Sequence, residues 1–123
     1  MSDFFIVRDD GFHPDDGAEP IVLAPDTDPA TLAEHLDQPL IAVDFPAFSD
    51  GRGFTLARLL REKGFSGRLR AVGSLIADQY AMARRVGFDE VRISAALAAR
   101  QPQDQWLYRA DWQEWDHRSR LAG

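Results

Sequence analysis

Short apolar runs alternate along this chain with stretches whose apolar residues recur at helical spacing, and that alternation outlines the fold. Leu40 to Val43, Leu69 to Val72 and Val91 to Ile93 read as buried strands. The first is followed by Phe54, Leu56, Ala57, Leu59 and Leu60, a wide apolar helix side with Arg58, Arg61 and Glu62 turned outward. Arg58 and Glu62 are spaced to pair on that helix. The second leads through Gly73-Ser74, with Ser74 as the expected cap, into a helix carrying Leu75, Ile76, Tyr80, Met82, Ala83 and Val86. After the third, Ser94 caps a short Ala-rich helix that Pro102 stops. Gly64 and Gly87 suit the left-handed residue that closes a helix, and Gly67 a following turn.

Three successive strand–helix units, with starts about 20 to 30 residues apart, predict a parallel sheet joined by right-handed crossovers. The fold class is therefore α/β, a single small domain with a short N-terminal strand ribbon and a C-terminal aromatic helix. Its parts are an acidic ribbon and loop over 1–27, a βα core over 28–101 and an aromatic segment over 102–123. A doubly wound sheet and a fragment resembling part of a TIM barrel both satisfy the pattern, and the second would leave sheet edges in need of cover.

Before the core, Phe4 to Val7 reads as a strand followed by the turn signal Asp9-Asp10-Gly11, and Ile21 to Leu23 as its antiparallel partner. The intervening HPDDGAEP reads as an exposed loop, in which His13, Asp15 and Asp16 are solvated sooner than metal-bound. Asp28-Pro29 is a helix start, with Leu32, Ala33 and Leu36 on the apolar face, Glu34 and Asp37 outside and His35 at the boundary. After the core, Tyr108, Trp112 and Trp115 fall at intervals of four and three, one stripe on a helix expected over Asp104 to Arg120. Such a stripe either closes the domain's own core or anchors another protein, a second copy included.

Charge sharpens this outline. Residues 1–50 carry twelve acids and one base, whereas residues 51–100 carry ten bases and four acids, within a net charge of −6. The first expectation is that the halves attract one another; an anionic partner for the basic half is the second. Nucleic acid is not expected, because no basic stripe is interleaved with aromatics. The lack of cysteine excludes disulfides and thiolate chemistry. With neither a long apolar run nor a secretory start, no membrane association is expected, and the cytoplasm is the expected location.

Candidate chemistry gathers where the first two strands end. Ser49-Asp50-Gly51-Arg52-Gly53 enters a helix, where free N–H groups and the helix dipole favour an anion and Arg52 offers a forked pair of donors. A phosphate, sulfate, sulfite or carboxylate would suit it. Equally, Asp50 caps the helix and pairs with Arg52, and the glycines merely permit the turn. If the strands are parallel neighbours, Asp44, Arg70, Ser74, Asp78 and Gln79 join the same edge. Three carboxylates there are a conceivable Mg²⁺ set, yet no metal is assigned. His13, His35 and His117 are scattered, and no nucleophile has an adjacent base, so whether the chain is an enzyme stays open.

The segments VDFPAFSDGRGFTLARLLRE, GFSGRLRAVG, ADQ and RRVGFDEV resemble an uncharacterised bacterial domain of unknown function. Genes of that family commonly stand beside those for assimilatory sulfite reductase, and members are sometimes labelled probable oxidoreductase involved in sulfite reduction. The resemblance covers about residues 40–93 strongly, and FxDGRG and RAxG are its most specific parts. One departure is Ser74, where the family pattern has an acid after RAxG. The resemblance implies an accessory protein of sulfite reduction, binding an oxyanion or docking to sulfite reductase; the alternative it implies is an oxidoreductase with a borrowed cofactor. No residue pattern here specifies a flavin, nicotinamide or haem.

Overall fold

The computed structural model describes residues 3–112 as one six-stranded mixed sheet with helices packed on it. In chain order the strands are β1 (Phe4–Arg8), β2 (Gly11–Pro14), β3 (Ile21–Leu23), β4 (Leu40–Phe45), β5 (Arg68–Gly73) and β6 (Glu90–Ser94). The helices are α1 (Arg52–Glu62), α2 (Tyr80–Val86), α3 (Ala95–Arg100) and α4 (Gln103–Leu107), with 3₁₀ turns at Pro29–His35 and Ala77–Gln79. The sheet order is β2-β1-β6-β5-β4-β3. β3, β4, β5 and β6 are parallel, and β1 pairs antiparallel with β6 and β2.

The parallel strands follow one another across the sheet without reversal, which excludes the doubly wound alternative. Right-handed crossovers that always step in the same direction put their helices on the same face. Strand alternation agrees. Val7, Ile41, Val43, Phe45, Leu69, Ala71, Val91 and Ile93 form one buried cluster with Leu56, Ala57 and Leu60 of α1, Tyr80 and Ala83 of α2 and Leu32 of the first 3₁₀ turn. The intervening residues, among them Ala42, Arg70 and Arg92, point to the opposite face. Both edge strands are short, and Pro14 in β2 and Pro20 before β3 blunt them.

Several sequence expectations change. Ile21–Leu23 does not pair with β1; it lies parallel to β4, while β1's hairpin partner is Gly11–Pro14. Three apolar residues fit either neighbour, and the tight turn at Asp9-Asp10 settles the choice by bringing the nearer segment back first. Ser74 does not cap α2. Helical structure begins only at Ala77, where the Gln79 side chain accepts from Ile76 N–H at 3.1 Å. Arg61 is not turned outward: its guanidinium donates to the carbonyls of Phe65, Gly67 and Gly87 and to Asp89, tying together both turns that follow α1 and α2.

Charge separation along the sequence becomes charge pairing in space. Asp9 accepts from Arg84, Asp15 from Arg92, and Asp16 from Arg68 and Arg70. The loop carrying Asp15 and Asp16 thus lies across the face away from the helices rather than free in solvent.

The aromatic segment also differs from expectation. α4 ends at Leu107 and turns follow it, so Tyr108, which is 74% exposed, and Trp112 are not on one continuous helix. The core is closed by Trp106 instead, 1% exposed, edge-on to Tyr80 and donating its indole N–H to Gln101 O at 2.9 Å. Trp112 lies under the Arg84 guanidinium and donates to Asp9. Trp115, His117 and the expected helix to Arg120 lie outside the described residues.

Trp106→Ala is expected to destabilise the fold by about 3–5 kcal/mol, the usual cost of deleting a buried Trp. Tyr108→Ala should stay within about 0.5 kcal/mol, as surface changes do. Urea denaturation of both variants checks the contrast.

Candidate functional site at the C-terminal edge of the sheet

The turn before α1 is built from its own side chains. Asp50 Oδ1 accepts from the Arg52 N–H at 3.1 Å and from Arg52 Nε at 3.0 Å, and Asp50 Oδ2 accepts from Arg52 Nη2 at 2.7 Å. The forked donor face of Arg52 is therefore filled by Asp50, the structural one of the two arrangements open in the sequence. Those same bonds hold the Asp50 carboxyl at about 2, against an ordinary 3.8. Gly51 precedes the helix with nothing near where a side chain would stand, whereas a Cβ on Gly53 would run into the Phe45 ring. Gly53 thus lets α1 begin flat against the core. Ser49 is exposed.

Behind this turn the loops after β4 and β5 are tied together. Ser74 N–H donates to Phe45 O at 2.9 Å, and Gln79 Nε2 donates to Phe48 O at 2.6 Å. Gly73 has φ +115°, and a Cβ there would clash with Phe45 O, so the close approach of the two strand ends requires glycine. On the far side, Ser94 ends β6 and its Oγ accepts from Leu97 N–H at 3.1 Å, starting α3. Ala77 N–H donates to Gln101 Oε1 at 2.6 Å and draws the end of α3 towards β5.

These ties enclose a cleft of about 300 Å³ over the ends of β5 and β6. Its polar lining is Ser74, Ser94 and Arg100, and its apolar lining is Ala47, Phe48, Ile76 and Leu97 beside Gly73. Arg100 forms no ion pair or side-chain hydrogen bond among the described residues, and neither does the Ser74 hydroxyl. Phe48 is 58% exposed at the rim. The lining offers hydrogen-bond donors and a positive charge against an apolar wall, a setting for an anion.

The other sequence candidates lie elsewhere or act structurally. Arg70 is buried on the face away from the helices, bonded to Glu90 and Asp16, and does not reach the turn at Asp50. Asp78 pairs with Arg109 at 3.0 Å, and Gln79 serves as the tie between loops. Asp44 is half-buried at the end of β4, with Oδ1 close beside Gly73. No group of three potential metal ligands occurs among the described residues, which dismisses both the Asp44, Asp50 and Asp78 set and the one around His13. Sequence reasoning missed Arg100 and treated Ser94 only as a cap. The available signal was that Ser94 ends the third parallel strand, on the same edge as Gly73-Ser74.

Because the folded Asp50 pKa lies below its ordinary value, the Asp50–Arg52 pair adds stability above about pH 4 and loses it as pH falls towards 2. Carboxyl NMR titration should place the Asp50 midpoint near 2 in the wild type. In Arg52→Ala it should move up towards 3.8 but not fully reach it, since the backbone donor remains. An unmoved midpoint would mean that the pair does not form in solution.

No curated protein and no solved structure matches the chain. The family model described as a bacterial protein of unknown function (DUF934) matches residues 20–116, which include every strand of the parallel sheet and the whole edge cleft. The chain belongs to this family of bacterial proteins of unknown function, DUF934.

Proposed function

We propose that this protein is an accessory protein of assimilatory sulfite reduction that binds a small oxyanion, sulfite foremost, in the cleft formed by Ser74, Ser94 and Arg100. The pathway comes from the sequence resemblance and its sulfite reductase neighbourhood, and the proposal puts the protein in the cytoplasm beside that enzyme. The observation that carries the binding role is Arg100: a cation with no ion pair or side-chain hydrogen bond among the described residues, lining a cleft at the C-terminal edge of a parallel sheet, where ligand sites of such sheets gather.

Size and lining favour binding over redox chemistry. At about 300 Å³ the cleft is at the low end for drug-sized ligands, ample for a hydrated oxyanion but not for a dinucleotide or flavin nucleotide. Its hydroxyls and guanidinium donate, and the lining supplies no carboxylate or imidazole to move a proton. The exposed ring of Phe48 at the rim is a contact for the partner enzyme that delivers or receives the anion.

Titration of sulfite, sulfate and phosphate into wild type and variants tests the proposal. Arg100→Ala should weaken binding by about 1.5–3 kcal/mol, the range for hydrogen bonds to a charged group, with the melting temperature nearly unchanged. Arg52→Ala should leave the affinity alone, because Arg52 does not line the cleft and its Nε and Nη2 are turned to Asp50. Failure of the wild type to bind any of the three anions would refute the proposal.

A further inference from the structure

The sheet face away from the helices is closed by residues 15–20, and the way this strap is held points to a second site. The strap buries little apolar surface: Gly17, Ala18 and Glu19 are exposed, and Gly17 turns the chain at φ +68°. Charge ties it down. Asp16 Oδ2 accepts from Nη2 of both Arg68, at 2.8 Å, and Arg70, at 2.6 Å. Asp15 faces Nε and Nη2 of Arg92, each at 3.3 Å. A carboxylate so held offers the oxygens that a free oxyanion would offer to the same guanidiniums.

Beneath the strap is a cavity of about 240 Å³, walled by Ala18 and Glu19 on the strap side and by Val22 and Ala42 on the sheet side, with Arg70 and Arg92 lining it. Among the described residues Nη1 of Arg70 makes no hydrogen bond, and Arg70, although only 1% exposed, lines this cavity. Arg70 would keep its position without the strap, because Nε donates to buried Glu90 at 2.6 Å. Glu19 on the cavity wall opposes an anion while the strap is down. Entry of an anion therefore requires the strap to lift.

We propose that Arg68, Arg70 and Arg92 form an anion site for a carboxylate or phosphate group on a small body, and that Asp15 and Asp16 fill it as an internal competitor until such a ligand displaces them. The site lies on a different face from the Ser74–Arg100 cleft and does not depend on it. Ligand binding and release of the strap are then one equilibrium, which lets an anion alter the surface formed by residues 15–20.

The test titrates inorganic phosphate and, separately, succinate into the full chain at constant ionic strength, with chloride as the balancing anion. Amide NMR shifts report the place, and hydrogen exchange at Ala18, whose N–H donates to Asp16 Oδ1 at 3.1 Å, reports the strap. In the wild type, shifts should appear at Val22, Ala42 and Arg92, and Ala18 exchange should accelerate with either anion but not with chloride. The tighter of the two anions identifies the ligand class. The double variant Asp15→Asn/Asp16→Asn should bind at least about tenfold more tightly, the gain from removing a competitor that occupies the site about 90% of the time. Arg92→Gln should abolish binding. Equal affinity of wild type and double variant overturns the proposal, as do shifts confined to Ser74 and Ser94. Should the double variant not fold, unchanged Ala18 exchange in the wild type with both anions overturns it alone.

Discussion

The buried pair of Arg70 and Glu90 is the constraint around which the sheet is arranged. The two are register partners on β5 and β6, 1% and 2% exposed, with Nε and Oε2 2.6 Å apart. Taking two charges out of water costs several kcal/mol each, which is recovered only by good pairing and further hydrogen bonds. Glu90 accepts from Arg8 on β1 and Arg68 and Arg70 on β5, and Arg70 donates through Nε to Glu90 and through Nη2 to Asp16. Burial raises the Glu90 carboxyl, but Arg70 and Arg68 more than reverse this and leave it below its ordinary value. A one-residue slip of β5 against β6 would turn Arg70 into the apolar core. The pair therefore fixes register as well as face.

That constraint decides which cations remain for a ligand. Ten bases in residues 51–100 suggest an abundance of anion sites, yet most are committed within the chain. Arg52, Arg61, Arg68, Arg70, Arg84 and Arg92 all hold carboxylates. Lys63, Arg85 and Arg100 carry no ion pair among the described residues. Lys63 ends α1, at the opposite end of that helix from the edge cleft, and Arg85 lies on α2 in a separate hollow with Trp112 and Asp111. Arg100 stands over the strand ends, where the loops after β4 and β5 and the start of α3 converge.

Local signals made much of the fold legible. The apolar runs became β4, β5 and β6, Gly64 and Gly87 took the left-handed φ of helix closure, and Asp28 and Ser94 accept as helix caps. What failed depended on distant partners. Ile-Val-Leu at β3 carries no mark of its neighbour, and Arg70 in an apolar run signals a buried charge without revealing Asp16, 54 positions away. The stripe from Tyr108 presumed one continuous helix, yet α4 ends at Leu107, and the core aromatic lies two residues before Tyr108, at Trp106. Of the site, Gly73-Ser74 was readable as a strand-end turn. Arg100 was not, because a residue at the end of α3 reaches the cleft only through the turn that Ser94 makes and the tie from Gln101 to Ala77.

In the proposed function, internal pairing withdraws Arg52 and Arg70 from the sheet edge and leaves Arg100 to receive the anion there. Anomalous scattering from crystals grown with selenite, the heavier analogue of sulfite, measures this directly by locating the selenium. An edge selenite is expected within hydrogen-bond reach of the Ser74 hydroxyl and the Arg100 guanidinium, with the Asp50–Arg52 pair intact. Selenite on Arg52 with Asp50 displaced, and the Ser74–Arg100 cleft empty, would contradict it.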